Sequence, residues 1–205
     1  MQGLRLSDRE DQLRRLGLTL RQAQADDEAM RRMALFGSME SALSFAYTWR
    51  ATAGVKIGKI GEFVGKEGGL MLSASEKRAQ ARLILDVIAS HTSRDQQALL
   101  DAEYGGENGE RAAGIERLEH LFGGIVRSRS VIRLMLMREF VYGARYCPSA
   151  QEIADECGVS RSTAYNAAAK IGPAIAELRQ ATHEKLRPAF SRRGWIPKEE
   201  DNKHV

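Results

Sequence analysis

The stretch "YCPSAQEIADECGVSRSTAYN", Tyr146–Asn166, decides how the chain is read. Pro148 sits just ahead of Ser149, and Ser149 to Glu152 ("SAQE") has the spacing of a capping box. In that motif the first side chain accepts from a backbone N–H and the fourth reaches back. The next helix places Ile153, Ala154 and Cys157 on one inner face at i, i+1 and i+4. Ala154 falls where two steeply crossing helices come closest. Gly158 stands where a tight turn needs a positive φ, and Val159 fills the angle. Ser160 then caps a second helix, "RSTAYNAAAKI", whose Ala164, Ala167, Ala168 and Ile171 face inward.

Elsewhere in the chain the same start signal recurs at Ser7–Glu10, Thr19–Gln22, Ser73–Glu76 and Ser93–Gln96. Each precedes helix-compatible sequence, so the expected fold class is all-α. In "RLILDVIAS", Leu83, Ile84, Val87 and Ile88 fall on one helical face. "SVIRLMLMREFVYG", Ser130–Gly143, is apolar on most sides and is the expected central helix. The expected organisation is an N-terminal helical region (1–50), a glycine-rich basic arm (51–72), a helical body (73–190) containing the two-helix motif (149–171), and a frayed tail (191–205). Within the arm, glycines disfavour helix and "VKIGKI" admits short strands. "EYGGENGE", Glu103–Glu110, reads as a surface turn.

Composition excludes several classes. The chain has 205 residues, 43% of them hydrophobic, and a net charge of +4, which is globular rather than disordered or fibrous. No apolar run approaches the roughly 18 residues of a membrane span, and the first residues lack a signal-peptide core, so a cytoplasmic protein is expected. Cys147 and Cys157 make no disulfide framework. With His91, His120, His183 and His204 scattered, they form no zinc set either. "GEFVGKE" and "GVKIGKI" have three residues between their glycines and no Ser or Thr after the lysine, unlike a phosphate-binding loop. No catalytic set assembles. The expectation is a protein that is not an enzyme and carries no cofactor and no metal.

The outward face of the second helix carries the functional reading. Arg161, Ser162, Tyr165 and Asn166 fall together at i, i+1, i+4 and i+5, beside Ser160 and near Lys170. Arg suits guanine, Asn suits adenine, and Ser and Tyr suit phosphates or a thymine methyl, as on a helix entering a major groove. Arg145 precedes the motif. Arg127, Arg129, Arg133 and Arg138 upstream, and Lys170, Arg179, Lys185, Arg187, Arg192 and Arg193 downstream, are candidate phosphate contacts. Glu152, Asp155 and Glu156 make the first helix acidic, so that face is expected to turn from DNA.

With its small residue, Gly and Val in place, the motif resembles helix-turn-helix regulators. The preceding "RLMLMREFVYGARYC" is similar to the supporting helix of a sigma-factor region 4. The whole layout resembles the Q-type phage and prophage antitermination factors. The resemblance implies double-stranded DNA and bacterial RNA polymerase as partners, with sigma factor and nascent RNA beside them, no membrane, and a place at the nucleoid. The arm is a linker or, if the protein rides on polymerase, an element whose Lys56, Lys59 and Lys66 would meet RNA or polymerase. Members with a cysteine-rich zinc insertion differ from this chain, which would be a zinc-free branch. Two other readings stay open: a dimeric repressor or activator, and a phage DNA-packaging small subunit.

Overall fold

The structure is a computed structural model and describes residues 34–51, 72–106, 109–142 and 147–197. Among these residues all regular structure is helical, in seven helices: α1 (Met39–Ala51), α2 (Ala74–His91), α3 (Arg94–Tyr104), α4 (Glu110–Phe122), α5 (Arg129–Phe140), α6 (Ala150–Cys157) and α7 (Arg161–Arg192). None of the described helices is long and apolar enough to cross a membrane. The arm with its lysines, the start signals at Ser7 and Thr19, and Arg145 lie outside the described residues.

The helices begin where their caps dictate. Ser73, Ser93 and Ser149 each accept from the backbone N–H three residues on, and Glu76, Gln96 and Glu152 each accept from the cap's own N–H. Each box satisfies two of the donors that a helix start leaves over. Before α1 two serines do the same work: Ser41 N–H donates to Ser38 Oγ at 3.2 Å and Ser38 N–H to Ser41 Oγ at 3.1 Å.

Two hydrophobic cores result. The first joins α3, α4, α5, α6 and the first half of α7, around Leu99, Leu118, Phe122, Ile132, Leu136, Ile153 and Ile171. The second joins α1, α2, one face of α3 through Leu100, and the last third of α7, around Leu43, Ile84, Leu186, Phe190 and Trp195. At 32 residues, α7 is about 48 Å long and runs through both cores. It passes Pro173 and Pro188 without a break. Each proline removes one N–H from the ladder, freeing the carbonyls of Ala169 and Glu184. Both of those residues, and both prolines, are exposed, so water can take the unpaired oxygens.

Two expectations need correction. The helix over Ser130–Gly143 is not the buried centre: α5 stops at Phe140 and buries only Val131, Ile132, Met135 and Leu136. Its Arg133 side chain is 67% exposed, because the charged residues between the apolar ones keep one face in water. The central helix is α7. The frayed tail is also wrong for 191–197. After α7 the chain turns at Gly194 (φ 68°), and Trp195 N–H donates to Phe190 O while Gly194 N–H donates to Ser191 O. That turn buries Trp195 and Ile196. Leu35 and Phe36 donate their N–H groups to Gly194 O and Trp195 O at 3.1 and 2.8 Å, which ties the start of the described chain to its end.

Candidate nucleic-acid interface

The α6–α7 corner is built from the bottom by three local devices. Ser149 starts α6 with a reciprocal box, Ser149 N–H donating to Glu152 Oε2 at 2.6 Å. The Glu152 carboxyl is held below its ordinary range, first by that backbone bond and then by the Ser149 hydroxyl. Gly158, at φ 64°, ends the helix: its N–H reaches Asp155 O at 3.3 Å and Val159 N–H reaches Ala154 O at 3.0 Å. This is the Schellman arrangement, in which a left-handed residue lets two orphan carbonyls be satisfied. Ser160 then accepts from Thr163 N–H and begins α7.

Packing fixes which faces turn outward. Ile153, Ala154, Ala164, Ala167 and Ile171 are buried, and Cys157, Val159 and Ala168 pack partly covered against them. Ser160, Arg161, Ser162, Asn166 and Lys170 are exposed. Tyr165 is 55% exposed, the most open of the large hydrophobic side chains among the described residues. The expected residues of α7 therefore lie together on one open face at its N-terminal end.

The flanking cations divide. Arg179 is tied to Glu103 at 3.2 Å and Glu139 at 3.3 Å, joining α7 to α3 and α5. Lys185 Nζ donates to the buried Gln96 Oε1 at 3.2 Å, Arg193 stacks on the Trp195 ring at 5.3 Å, and Arg192 donates to Pro188 O. Arg179 and Lys185 thus brace α7 against its neighbours, while Arg192 and Arg193 make local contacts and stay exposed. Upstream, Arg133 pairs loosely with Glu119 at 3.6 Å and Arg129 meets the His120 ring. Arg111, Arg129 and Arg133 line an open groove of about 1250 Å3 between α4 and α5, opposed by Glu116 and Glu119.

Sequence reasoning missed one residue of this corner. Gln151, half-buried on α6, accepts from Arg161 Nε and donates from its amide to Asp155 Oδ1 at 2.7 Å. The i, i+4 spacing of Gln151 and Asp155 was the available signal. Glu152, Asp155 and Glu156 are exposed as expected. Cys147 is exposed and Cys157 half-buried. Compared with known proteins, the chain matches no protein-family model and no curated protein.

Proposed function

We propose that the protein is a DNA-binding transcription regulator whose α6–α7 corner acts as a helix-turn-helix, with α7 presenting its N-terminal end to a major groove. One observation carries this reading: Arg161, Ser162, Tyr165 and Asn166 share an open face on a helix whose opposite face is fully engaged in the core. A corner with only a structural role has no need for a half-exposed tyrosine between two base-reading residue types. The acidic residues of α6 lie on the other element of the corner, leaving α7 as the face that accepts phosphate.

The finer reading is a processive antitermination factor of the Q type that loads onto promoter-proximal paused polymerase. It rests on the sigma-region-4-like sequence ahead of the corner and on the all-α architecture. Single-round transcription past a strong terminator, on templates with and without the upstream promoter region, tests it. Read-through that requires the upstream DNA is the expected result. A palindromic footprint without read-through would instead identify a conventional dimeric regulator, and a ring-shaped oligomer a packaging subunit.

The base-reading claim has its own test. Arg161→Ala and Asn166→Ala should each weaken binding to the preferred duplex by about 1–3 kcal/mol, the worth of one bidentate base contact. Binding to random duplex should change less. Equal losses on both duplexes would reduce these residues to phosphate contacts.

A further inference from the structure

The groove between α4 and α5 lies on the side of α5 that the core leaves over. Arg129, Arg133, Met137 and Val141 recur at every fourth position and so form one stripe. It faces away from the buried Val131, Ile132, Met135 and Leu136. α4 runs back along this stripe: Arg129 meets the His120 ring and Arg133 meets Glu119, with Ile115 further along the floor. One end of the groove is therefore charged. The other is apolar, made by Met137 and by Val141, which is 43% exposed. At 12 residues, α5 gives the groove a length of about 18 Å.

The arginines of the groove differ from those in the closed seams of the fold. Arg50 joins Asp101 and Glu110, and Arg179 joins Glu103 and Glu139, so each of these guanidiniums holds two carboxylates. In the groove, Arg129 has only a histidine ring for a partner. Arg111 pairs with no carboxylate among the described residues, and its Nε is shut off from water without a hydrogen bond. Arg133 holds Glu119 at 3.6 Å while its own side chain is 67% exposed. Guanidiniums with unused donors beside an apolar floor suit a ligand that is apolar along one stripe and anionic next to it. A nucleic-acid backbone fits poorly: it has nothing to place on Met137 and Val141, and Glu116 and Glu119 repel its phosphates. Carboxylates meet guanidiniums in flat two-point pairs, and a trough between adjacent helices takes the apolar face of a further helix.

We propose that the α4–α5 groove docks an amphipathic helix of a partner protein. Its apolar stripe lies on Met137 and Val141, and its Asp or Glu side chains meet Arg111 and Arg129. This surface is separate from the outward face of α7, and the proposal does not depend on the DNA reading. The same α5 packs Val131, Ile132, Met135 and Leu136 into the core beneath the corner. A partner held in the groove is thereby fixed to the α6–α7 element through one helix.

The test screens the full chain against a displayed library of short helices, each randomised along one face, and titrates the enriched peptides. Those peptides should carry Asp or Glu beside an apolar stripe. Arg129→Glu should weaken their binding about tenfold. Changing the facing carboxylate of the peptide to lysine should restore binding to that variant and weaken it for the wild type. Val141→Asp should weaken binding by a similar factor. Arg111→Met should weaken it too while the melting temperature stays level or rises, because a buried donor without an acceptor is removed. An arginine with only a structural role would lower the melting temperature instead. Enriched peptides that lack carboxylates, or that bind wild type, Arg129→Glu and Val141→Asp alike, overturn the proposal. So does loss of duplex binding in Arg129→Glu with no peptide enriched, which would make the groove a phosphate surface. Self-association of the wild type that Arg129→Glu abolishes would identify a second copy as the occupant and overturn it as well.

Discussion

The turn that closes α6 and the turn that closes α7 share one backbone design. In each, a left-handed glycine, Gly158 or Gly194, comes after the helix. The next residue donates its N–H five residues back, Val159 to Ala154 and Trp195 to Phe190. The side chain just past the glycine separates them. Val159 is small and leads at once into another helix, whose polar face is left open. Trp195 is large, packs edge-on against Phe190 with ring centroids 5.2 Å apart, and is covered by the N-terminal segment through Leu35 and Phe36. The same hydrogen bonds thus make a display corner at one end of α7 and a closed lock at the other. The difference comes from side-chain volume and from the neighbours that the rest of the chain brings to each end.

If the far end of α7 is a lock, Trp195→Ala should do the most damage. It should cost about 3–5 kcal/mol, as for other large-to-small aromatic core changes, read by urea unfolding. A loss below about 1 kcal/mol, no more than a typical surface change, would mean that the end of α7 locks nothing. Next comes Ala154→Leu at the display corner, where Ala154 is 1% exposed and any added volume must push α7 away. Overpacking should destabilise by about 1–3 kcal/mol, and an unchanged melting curve would remove Ala154 from the helix crossing.

The glycines compare the two turns directly. An added Cβ would meet nothing within 4 Å at either Gly158 or Gly194, so replacement by alanine costs only the left-handed backbone, about 1–2 kcal/mol. Gly158→Ala and Gly194→Ala should therefore shift the unfolding midpoint alike. A much larger effect at one would show that its turn carries tertiary strain that the other lacks. Weaker still is a pH effect at the display corner. Folding lowers the pKa of Glu152 through its bonds to Ser149, so the carboxylate's contribution is present above the unfolded pKa. It is lost as pH falls through the folded value. An NMR titration of Glu152 should place its midpoint below the 4.5 of a free glutamate, and Ser149→Ala, which removes the hydroxyl and keeps the backbone N–H, should raise it only part of the way back. A midpoint at the free value in the wild type would mean that the box is open in solution.

The corner was legible because its signals are local. Caps three residues apart, an apolar face at helical spacing and a glycine between them all act within one turn of chain. At Gly194 the signal was equally local, a glycine with Trp195, Ile196 and Pro197 after it, yet the charges of "SRR" and "KEED" on either side gave it the look of a tail. Pro173 and Pro188 show a different limit of local signals. Each ordinarily ends or kinks a helix, and continuation here depends on both falling on the solvent side of α7.

Amino-acid order alone thus settled that the described chain is helical, where α2, α3, α6 and α7 begin, and which residues of α7 turn away from the core. Each of these depends on hydrogen bonds and periodicity within a few residues. The partners of the cations were set by tertiary packing instead. Arg179 meets Glu103 and Glu139 across 76 and 40 residues, and Lys185 meets Gln96 across 89. So was the burial of Trp195 against a segment from the opposite end of the described chain. A charge's spacing along its own helix says nothing about which remote acceptor lies beside it. That depends on how the helices pack, and packing is settled by the two cores together.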